Sequence, residues 1–333
     1  MTIIGPAAPV PSHLRRSTIA IGNFDGLHRG HQRLLAEARV RARQSHTPLG
    51  LVTFEPHPRA FFRPLEPVFR LTPLPLKHRL ATALGADFVD VVTFDARLAN
   101  MTPEDFVREE LCERLGVDHV VSGYDFHFGH GRKGTPDTMR ALGREMEFGV
   151  TVIDQVTDDD GIAPFSSSSI RDSLRHGHVR DAAHQLGYWW TVLGEVVHGD
   201  GRGRTIGIPT ANIVLPAGSE PLHGIYAVRV RDAETPSRTW QGAGYFGKRP
   251  TFDSEVLFLE VHLLDFDGDL YGRHLMVEFI DLIRPDRRFH GVDELVTQMK
   301  IDCGEARNIL CALEADDPIA SFPLGSLQRD GTI

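Results

Sequence analysis

Apolar positions along the chain follow two rhythms. Up to about residue 186, short β-branched runs alternate with longer stretches whose apolar residues recur three and four apart. The short runs, at 18–22, 49–54, 88–94, 119–122 and 150–156, predict strands. The stretches at 32–44, 76–84, 103–115 and 137–147 predict helices between them. Thr102 and Pro103 fit an N-cap and a first helical residue. Strands separated by helices imply βαβ units, that is, an α/β unit with a Rossmann-like parallel sheet. A short amphipathic stretch, 179–186, ends at Gly187, and there the rhythm changes. Strand-like runs then follow one another at 191–197, 225–230, 257–263 and 275–280. Strands without intervening helices predict a mainly antiparallel β-barrel, closed by a C-terminal helix over 292–313. The expected domains are 1–186 and 187–333.

Composition narrows the function classes. A chain of 333 residues is long enough for two domains with cores of their own. A net charge of -9 argues against general nucleic-acid binding and makes any anion site a local one. The three cysteines are scattered, which predicts reduced thiols rather than a disulfide framework. No secretory leader pattern and no long apolar run is evident, so the expected setting is the cytoplasm, with no membrane partner.

In parallel sheets, ligands bind beyond the carboxyl ends of the strands. The polar motifs do follow strands. Gly22, Asn23, Phe24 and Asp25 lead from the first strand to His28 and His31, just ahead of a helical pattern. A helix N-terminus offers free N–H groups, and two imidazoles beside it make a donor cradle for a polyphosphate. The pair could equally be incidental; a metal site lacks a nearby third ligand. After the second strand, two prolines flank His57, which could be no more than a rigid turn. After the fourth, aromatics alternate around Asp125 and glycines follow. After the fifth, Ser166, Ser167 and Ser168 precede Arg171 by helical spacing. Serines there serve as caps, and with the guanidinium they make a second anion cradle. One polyphosphate held between the two cradles is the economical reading. No Ser or Cys nucleophile sits beside a base, which fits direct attack of one bound substrate on the α-phosphate of another.

In the second half, Gly201, Arg202, Gly203 and Arg204 form a glycine- and arginine-rich loop that leads to Thr210 and Asn212. The loop is neither a Walker A sequence nor Gly-x-Gly-x-x-Gly. Thr210 and Asn212 are hard oxygen donors in alternation, of a kind Mg²⁺ accepts beside phosphates. Alternation along 257–263 puts Leu257, Leu259, Val261 and Leu263 on one face and Phe258, Glu260 and His262 on the other. A solvated strand residue is the plain reading of Glu260.

These motifs carry a resemblance. Gly22 to His31 matches every fixed position of Gly-x-Phe-Asp-Gly-x-His-x-Gly-His, and so resembles the class I nucleotidyltransferases in their riboflavin-biosynthesis form. Thr53 to Pro58, Gly123 to Gly129 and Ser166 to Arg171 resemble further bacterial FAD synthetase segments. Gly207 to Asn212 is similar to the riboflavin kinase signature Gly-x-Pro-Thr-Ala-Asn. Over about residues 17 to 313 the chain resembles the prokaryotic bifunctional riboflavin kinase/FAD synthetase family. The resemblance implies phosphorylation of riboflavin to FMN, then transfer of AMP from ATP to FMN. It implies ATP, riboflavin and FMN as small-molecule substrates and Mg²⁺ at Thr210 and Asn212, and leaves room for a transient oligomer. It implies that Glu260 is the general base of the kinase and that Asp125 lies near the nucleotide. Ser168 stands where Thr is commoner, Pro164 where some members carry a basic residue, and Tyr245 where many have Asn. Two other readings are a nucleotidyltransferase of another substrate and a flavin-binding regulator without catalysis; the Pro-Thr-Ala-Asn run and the intact His28, His31, Thr210 and Glu260 argue against them.

Overall fold

The apolar runs of the first half pair side by side as a six-stranded parallel sheet. Its strands are β1 (Thr2–Ile4), β2 (Thr18–Ile21), β3 (Leu49–Glu55), β4 (Phe88–Thr93), β5 (His119–Gly123) and β6 (Gly149–Ile153). The spatial order is β1-β4-β3-β2-β5-β6. Ile19, Ala20, Leu51, Val52, Val120 and Val121 are fully buried, as strands covered on both faces must be. The order reverses at β2. From there the chain builds β3 and β4 on one side and later β5 and β6 on the other. The crevice at the carboxyl ends of β2 and β5 is therefore the switch point at which ligands bind in such sheets.

The computed structural model describes residues 2–5, 8–158, 161, 163–199, 203, 207–215, 218–250 and 255–333. Two compact units emerge: Met1–Val68 with Thr72–Ser166, and Phe69–Leu71 with Ser167–Ile333.

In the first unit, helix α1 (Arg29–Ser45) buries Leu34, Leu35, Ala38 and Ala42, the stripe its sequence spacing predicts. It ends at His46, whose backbone is left-handed (φ 54°) and whose N–H bonds back to the Ala42 carbonyl. Helix α2 (Pro58–Phe62) follows β3, and helix α3 (Leu74–Ala83) precedes β4. Thr102 caps the helix that opens at Pro103, its hydroxyl accepting the Asp105 N–H at 3.1 Å. The predicted single helix over 103–115 keeps its span, but from Phe106 to Leu115 its hydrogen bonds widen to the π pattern.

The second unit holds a closed antiparallel barrel of six strands, β7 (Thr191–Val197), β8 (Ala211–Val214), β9 (Gly224–Asp232), β10 (Thr239–Pro250), β11 (Glu255–Leu263) and β12 (His274–Pro285). Around it the order is β10-β11-β8-β7-β12-β9. Ile213, Val228, Phe246, Leu259, Val261 and Phe279 are fully buried, which is the filling a six-stranded closure needs. Outside the barrel, helices Val179–Leu186 and Val292–Ala315 share a core, with Ala183, Trp189, Ala227, Ala306 and Leu310 in contact. The short stretch Phe69–Leu71 belongs to this unit. The Trp190 indole donates to the Leu71 carbonyl at 3.2 Å, and the Arg171 Nε donates to the Phe69 carbonyl at 2.7 Å.

Candidate functional site

In the first unit the loop after β2 is held from below. Asp25 is turned inward, 1% exposed, and accepts the Thr72 N–H at 3.0 Å. The Thr72 hydroxyl in turn accepts the Gly26 N–H at 2.7 Å. Phe24 and Leu27 are fully buried and both take left-handed backbone, φ 48° and 42°. Two bulky residues in that region of φ/ψ store strain that the surrounding packing must hold in place, a pattern typical of ligand loops. Asn23 is exposed, and its carbonyl accepts from the Thr53 hydroxyl at 3.1 Å.

The loop delivers His28 to the N-cap of α1. Its Nδ1 accepts the His31 backbone N–H at 3.4 Å, which puts the ring proton on Nε2 when the imidazole is neutral. The two rings stack with centroids 3.7 Å apart, and Phe24 meets His31 edge-on at 5.2 Å. The His31 Nδ1 is buried and, among the described residues, has no hydrogen-bond partner. Burial, then the neighbouring His28 and Lys77, push the His31 pKa well below its ordinary value. A neutral imidazole offers one donor and one acceptor, so the pair supplies directed N–H groups beside the free amides of a helix N-terminus.

Other predicted residues of this unit fall as follows. His57 caps α2, its Nδ1 accepting the Arg59 N–H at 3.2 Å. Asp125 is exposed in the turn after β5, beside Gly123, where a Cβ would stand 3.0 Å from its carboxylate. Phe165 lies on the first turn of α1, under the Arg29 guanidinium at 4.6 Å, and leads into a half-buried Ser166. Pro164 is exposed and bridges Thr157. Ser167, Ser168 and Arg171 open helix Ser167–Arg175 of the second unit, with Ser168 exposed.

Sequence reasoning passed over one residue here. Lys77 of α3 is 1% exposed; its ammonium donates to the Asn23 carbonyl at 2.8 Å and the Thr53 hydroxyl at 2.9 Å, with Glu55 at 4.0 Å. Its signal is a cation on the apolar stripe of a helix, between Leu76 and Leu80 and one turn before Ala81.

On the barrel, the register sets three side chains in a row. Glu260 of β11 pairs with Asn212 of β8 on one side and Tyr245 of β10 on the other. Directly opposed residues point to one face, with Cβ atoms roughly 5 Å apart. The face is the outer one: Leu259 and Val261 are fully buried, while Glu260 is half-buried. His262, on the same face, has its Nδ1 2.8 Å from the Pro209 carbonyl, which ties the strand to the segment before Thr210. The Tyr245 hydroxyl donates to Asp286 at 3.2 Å, a contact an Asn in that place could not reach in the same way. Thr210 and Asn212 are half-buried. A Cβ on Gly199 would lie 2.4 Å from the Asn212 amide nitrogen, and one on Gly203 would lie 2.4 Å from the Ile208 carbonyl and 3.4 Å from the Thr210 hydroxyl. Gly203 thus lets the backbone close on the Ile208 carbonyl next to Thr210, and Gly199 packs against the Asn212 amide. The recess, with its hard oxygens, suits a Mg²⁺ that also binds phosphate. Among the described residues, no cluster of three His, Cys, Asp or Glu forms a separate metal centre. Gly201, Arg202 and Arg204 lie outside the described residues, as do Thr251 and Phe252.

Comparison with known proteins falls on the same two stretches. The family model described as FAD synthetase matches residues 10–168, and that described as riboflavin kinase matches residues 186–310. The chain is 39% identical over 285 residues to the bifunctional riboflavin kinase/FMN adenylyltransferase of Escherichia coli K12, covering 85% of this chain and 90% of that one. The chain belongs to the bifunctional riboflavin kinase/FMN adenylyltransferase family. The enzyme of the same description from Pseudomonas fluorescens is also 39% identical, over 89% of this chain and 94% of its own length. The one from Bacillus subtilis is 37% identical over 89% and 95%. A solved structure described as a macrolide-efflux protein from Streptococcus pneumoniae has the same fold, with a TM-score of 0.78 and 31% identity over 92% of this chain and 99% of that one. Among the described residues of the present chain, no helix is long and apolar enough to cross a membrane. As a member of the family, the protein makes FMN from riboflavin and ATP, and FAD from FMN and ATP.

Proposed function

We propose that the two activities divide between residues 1–186, which carry adenylyl transfer, and residues 187–333, which carry the kinase. The observation that carries this reading is the division of the motifs. His28 and His31 stand at the switch point of the parallel sheet, while Thr210, Asn212 and Glu260 lie on the barrel.

In adenylyl transfer, a phosphate oxygen of FMN attacks the α-phosphorus of ATP. The bond from that phosphorus to the bridging oxygen breaks, and pyrophosphate leaves. The FMN phosphate is already ionised near neutral pH, its second pKa being about 6. No general base is needed, and the task left to the protein is positioning and neutralising charge. His28 and His31 donate to phosphate oxygens from the N-terminus of α1. The family resemblance assigns Asn23, His57, Asp125, Ser166, Ser167, Ser168 and Arg171 to binding of the nucleotide and FMN. Gly22, Phe24 and Asp25 shape the loop.

In the kinase reaction, the terminal ribityl hydroxyl of riboflavin attacks the γ-phosphorus of ATP, and ADP leaves. An alcohol needs its proton removed as the bond forms, and Glu260 takes it. Thr210 and Asn212 would hold Mg²⁺, which when bound would neutralise ATP phosphate charge. The resemblance to the kinase family assigns Gly201, Arg202, Gly203 and Arg204 to binding of the nucleotide. ATP as co-substrate and the three free thiols, Cys112, Cys303 and Cys311, support a cytoplasmic setting.

Two variants of the full chain test the assignment, each assayed with riboflavin, ATP and Mg²⁺ and then with supplied FMN. His31→Ala is expected to slow FAD formation by about 10²–10³ and to spare FMN formation. Glu260→Gln is expected to do the reverse. Glu260→Gln with kinase activity within a few-fold of the parent removes Glu260 as the base. Both activities falling together in either folded variant removes the two-site reading.

A further inference from the structure

Lys77 is a buried ammonium that the reaction as described does not use. It lies on α3, away in sequence from every motif of the adenylyl-transfer site, yet its contacts converge on that site. Asn23, whose carbonyl it holds, is the second residue after β2, and Thr53 and Glu55 are at the carboxyl end of β3. The Thr53 hydroxyl also donates to the Asn23 carbonyl, so one oxygen of the loop is gripped twice. Such a grip fixes where the strained segment through Phe24 and Leu27 starts, and hence where it delivers His28 and His31.

The geometry points to Lys77 as a positioning residue for adenylyl transfer: its ammonium pins the Asn23 carbonyl and the Thr53 hydroxyl, and so sets the loop that presents His28 and His31. The inference rests on the reading of those two histidines given above. Being 1% exposed, Lys77 acts through the loop and through its charge rather than by touching substrate. The charge matters as well as the bonds. His28 from the loop and Lys77 from α3 are the groups whose charge bears on His31, and both disfavour its protonation; Glu55 of β3 bears on Lys77 in turn. A fixed cation beside a polyphosphate site also costs no reorganisation when charge shifts during reaction.

The test uses full-length Lys77→Met, of similar length but uncharged, and Thr53→Val, which removes one acceptor and leaves the charge. His31→Ala is the reference. Lys77→Met is expected to cut kcat for FAD formation from FMN by about tenfold to a hundredfold, the cost of a misplaced donor. KM for FMN should stay within a few-fold and kinase activity should be unchanged. By histidine side-chain NMR, the His31 imidazole should titrate at a higher pH than in the parent. A smaller fall, with the His31 titration unmoved, is expected of Thr53→Val. FAD formation within twofold of the parent in Lys77→Met overturns the proposal; so does a fall in rate with the His31 titration unmoved, which would mark a merely structural lysine. Should Lys77→Met not fold, Thr53→Val decides: an unchanged rate overturns the proposal, and a several-fold fall supports it. Parent-like FAD formation in His31→Ala would instead sink the site assignment beneath it. An impaired His31→Ala beside a parent-like Lys77→Met would sink the present inference alone.

Discussion

A half-buried histidine held neutral has consequences for stability as well as for phosphate chemistry. Burial and the nearby His28 and Lys77 hold the His31 imidazole well below its ordinary value of 6.5. In the unfolded chain the same group takes up a proton near that value. Between the two values the unfolded state binds more protons than the folded one. Stability therefore rises with pH across that window, and is lost as pH falls through 6.5 toward the folded value. His31→Asn, a polar replacement that does not titrate, should flatten this dependence. In thermal melts between about pH 7 and pH 5, its first transition should lose less Tm than the parent's. Identical slopes for the two proteins would mean that His31 is not held neutral.

At the level of elements, the loop after β2 depends on one residue just ahead of α3. Thr72 is fully buried; its N–H meets Asp25 and its hydroxyl meets Gly26. Thr72→Val keeps the shape but removes the hydroxyl that accepts the Gly26 N–H, at a cost of about 1 kcal/mol. The expected outcome is a lower Tm for the first unit and a several-fold slower FAD formation, with kinase activity kept. Activity assays beside a melting curve check it, and an unaltered FAD rate would show that the loop is held elsewhere. Such cross-links explain what was legible in the sequence and what was not. The strands β2 to β5 were legible because their apolar runs are continuous and largely buried on both faces, and the half-buried edge strand β6 because Val150, Val152 and Ile153 keep such a run. Strand β1 was not, being three residues long with Thr2 and Ile3 exposed. On the barrel, the faces of β11 followed from simple alternation. Strand β10 escaped because Gly242, Gly244 and Gly247 interrupt its apolar pattern, and the need for them is visible only in three dimensions: a Cβ on Gly242 would stand 2.9 Å from the His262 carbonyl. The histidine, serine and Pro-Thr-Ala-Asn motifs were legible as short-range patterns. Lys77 and Thr72 were not, because the atoms they hold come from residues 54 and 46 positions away in the chain.

On the scale of the whole molecule, each unit carries its own core, which motivates a test by dissection. A fragment beginning at Ser167 keeps helices Ser167–Arg175 and Val179–Leu186, whose Ile170, Leu174, Ala182, Ala183 and Leu186 are fully buried. It should fold and phosphorylate riboflavin. A fragment beginning at Gly187 lacks those residues and should be markedly less stable, by several kcal/mol for the lost burial. Comparing the Tm and kinase rate of the two fragments checks this, and equal stability would mean that the two helices add nothing to the barrel.

Even the longer fragment would be incomplete, because Phe69–Leu71 belongs to the unit that starts at Ser167. The chain passes from one unit to the other at Val68, at Leu71 and at Ser166. No single scission of the backbone, and no splitting of the gene at one codon, yields both pieces whole. The C-terminal piece would always leave behind the carbonyl that the Trp190 indole uses and the ring that meets that indole at 5.7 Å. A buried indole N–H without an acceptor costs about 1–3 kcal/mol. In a domain of this size that is a Tm lower by roughly 2–10 °C. A synthetic peptide spanning residues 66–74 should restore part of it when added to the 167–333 fragment. An enzyme built this way resists being taken apart into two genes, because a stretch of three residues encoded in the first half completes the second.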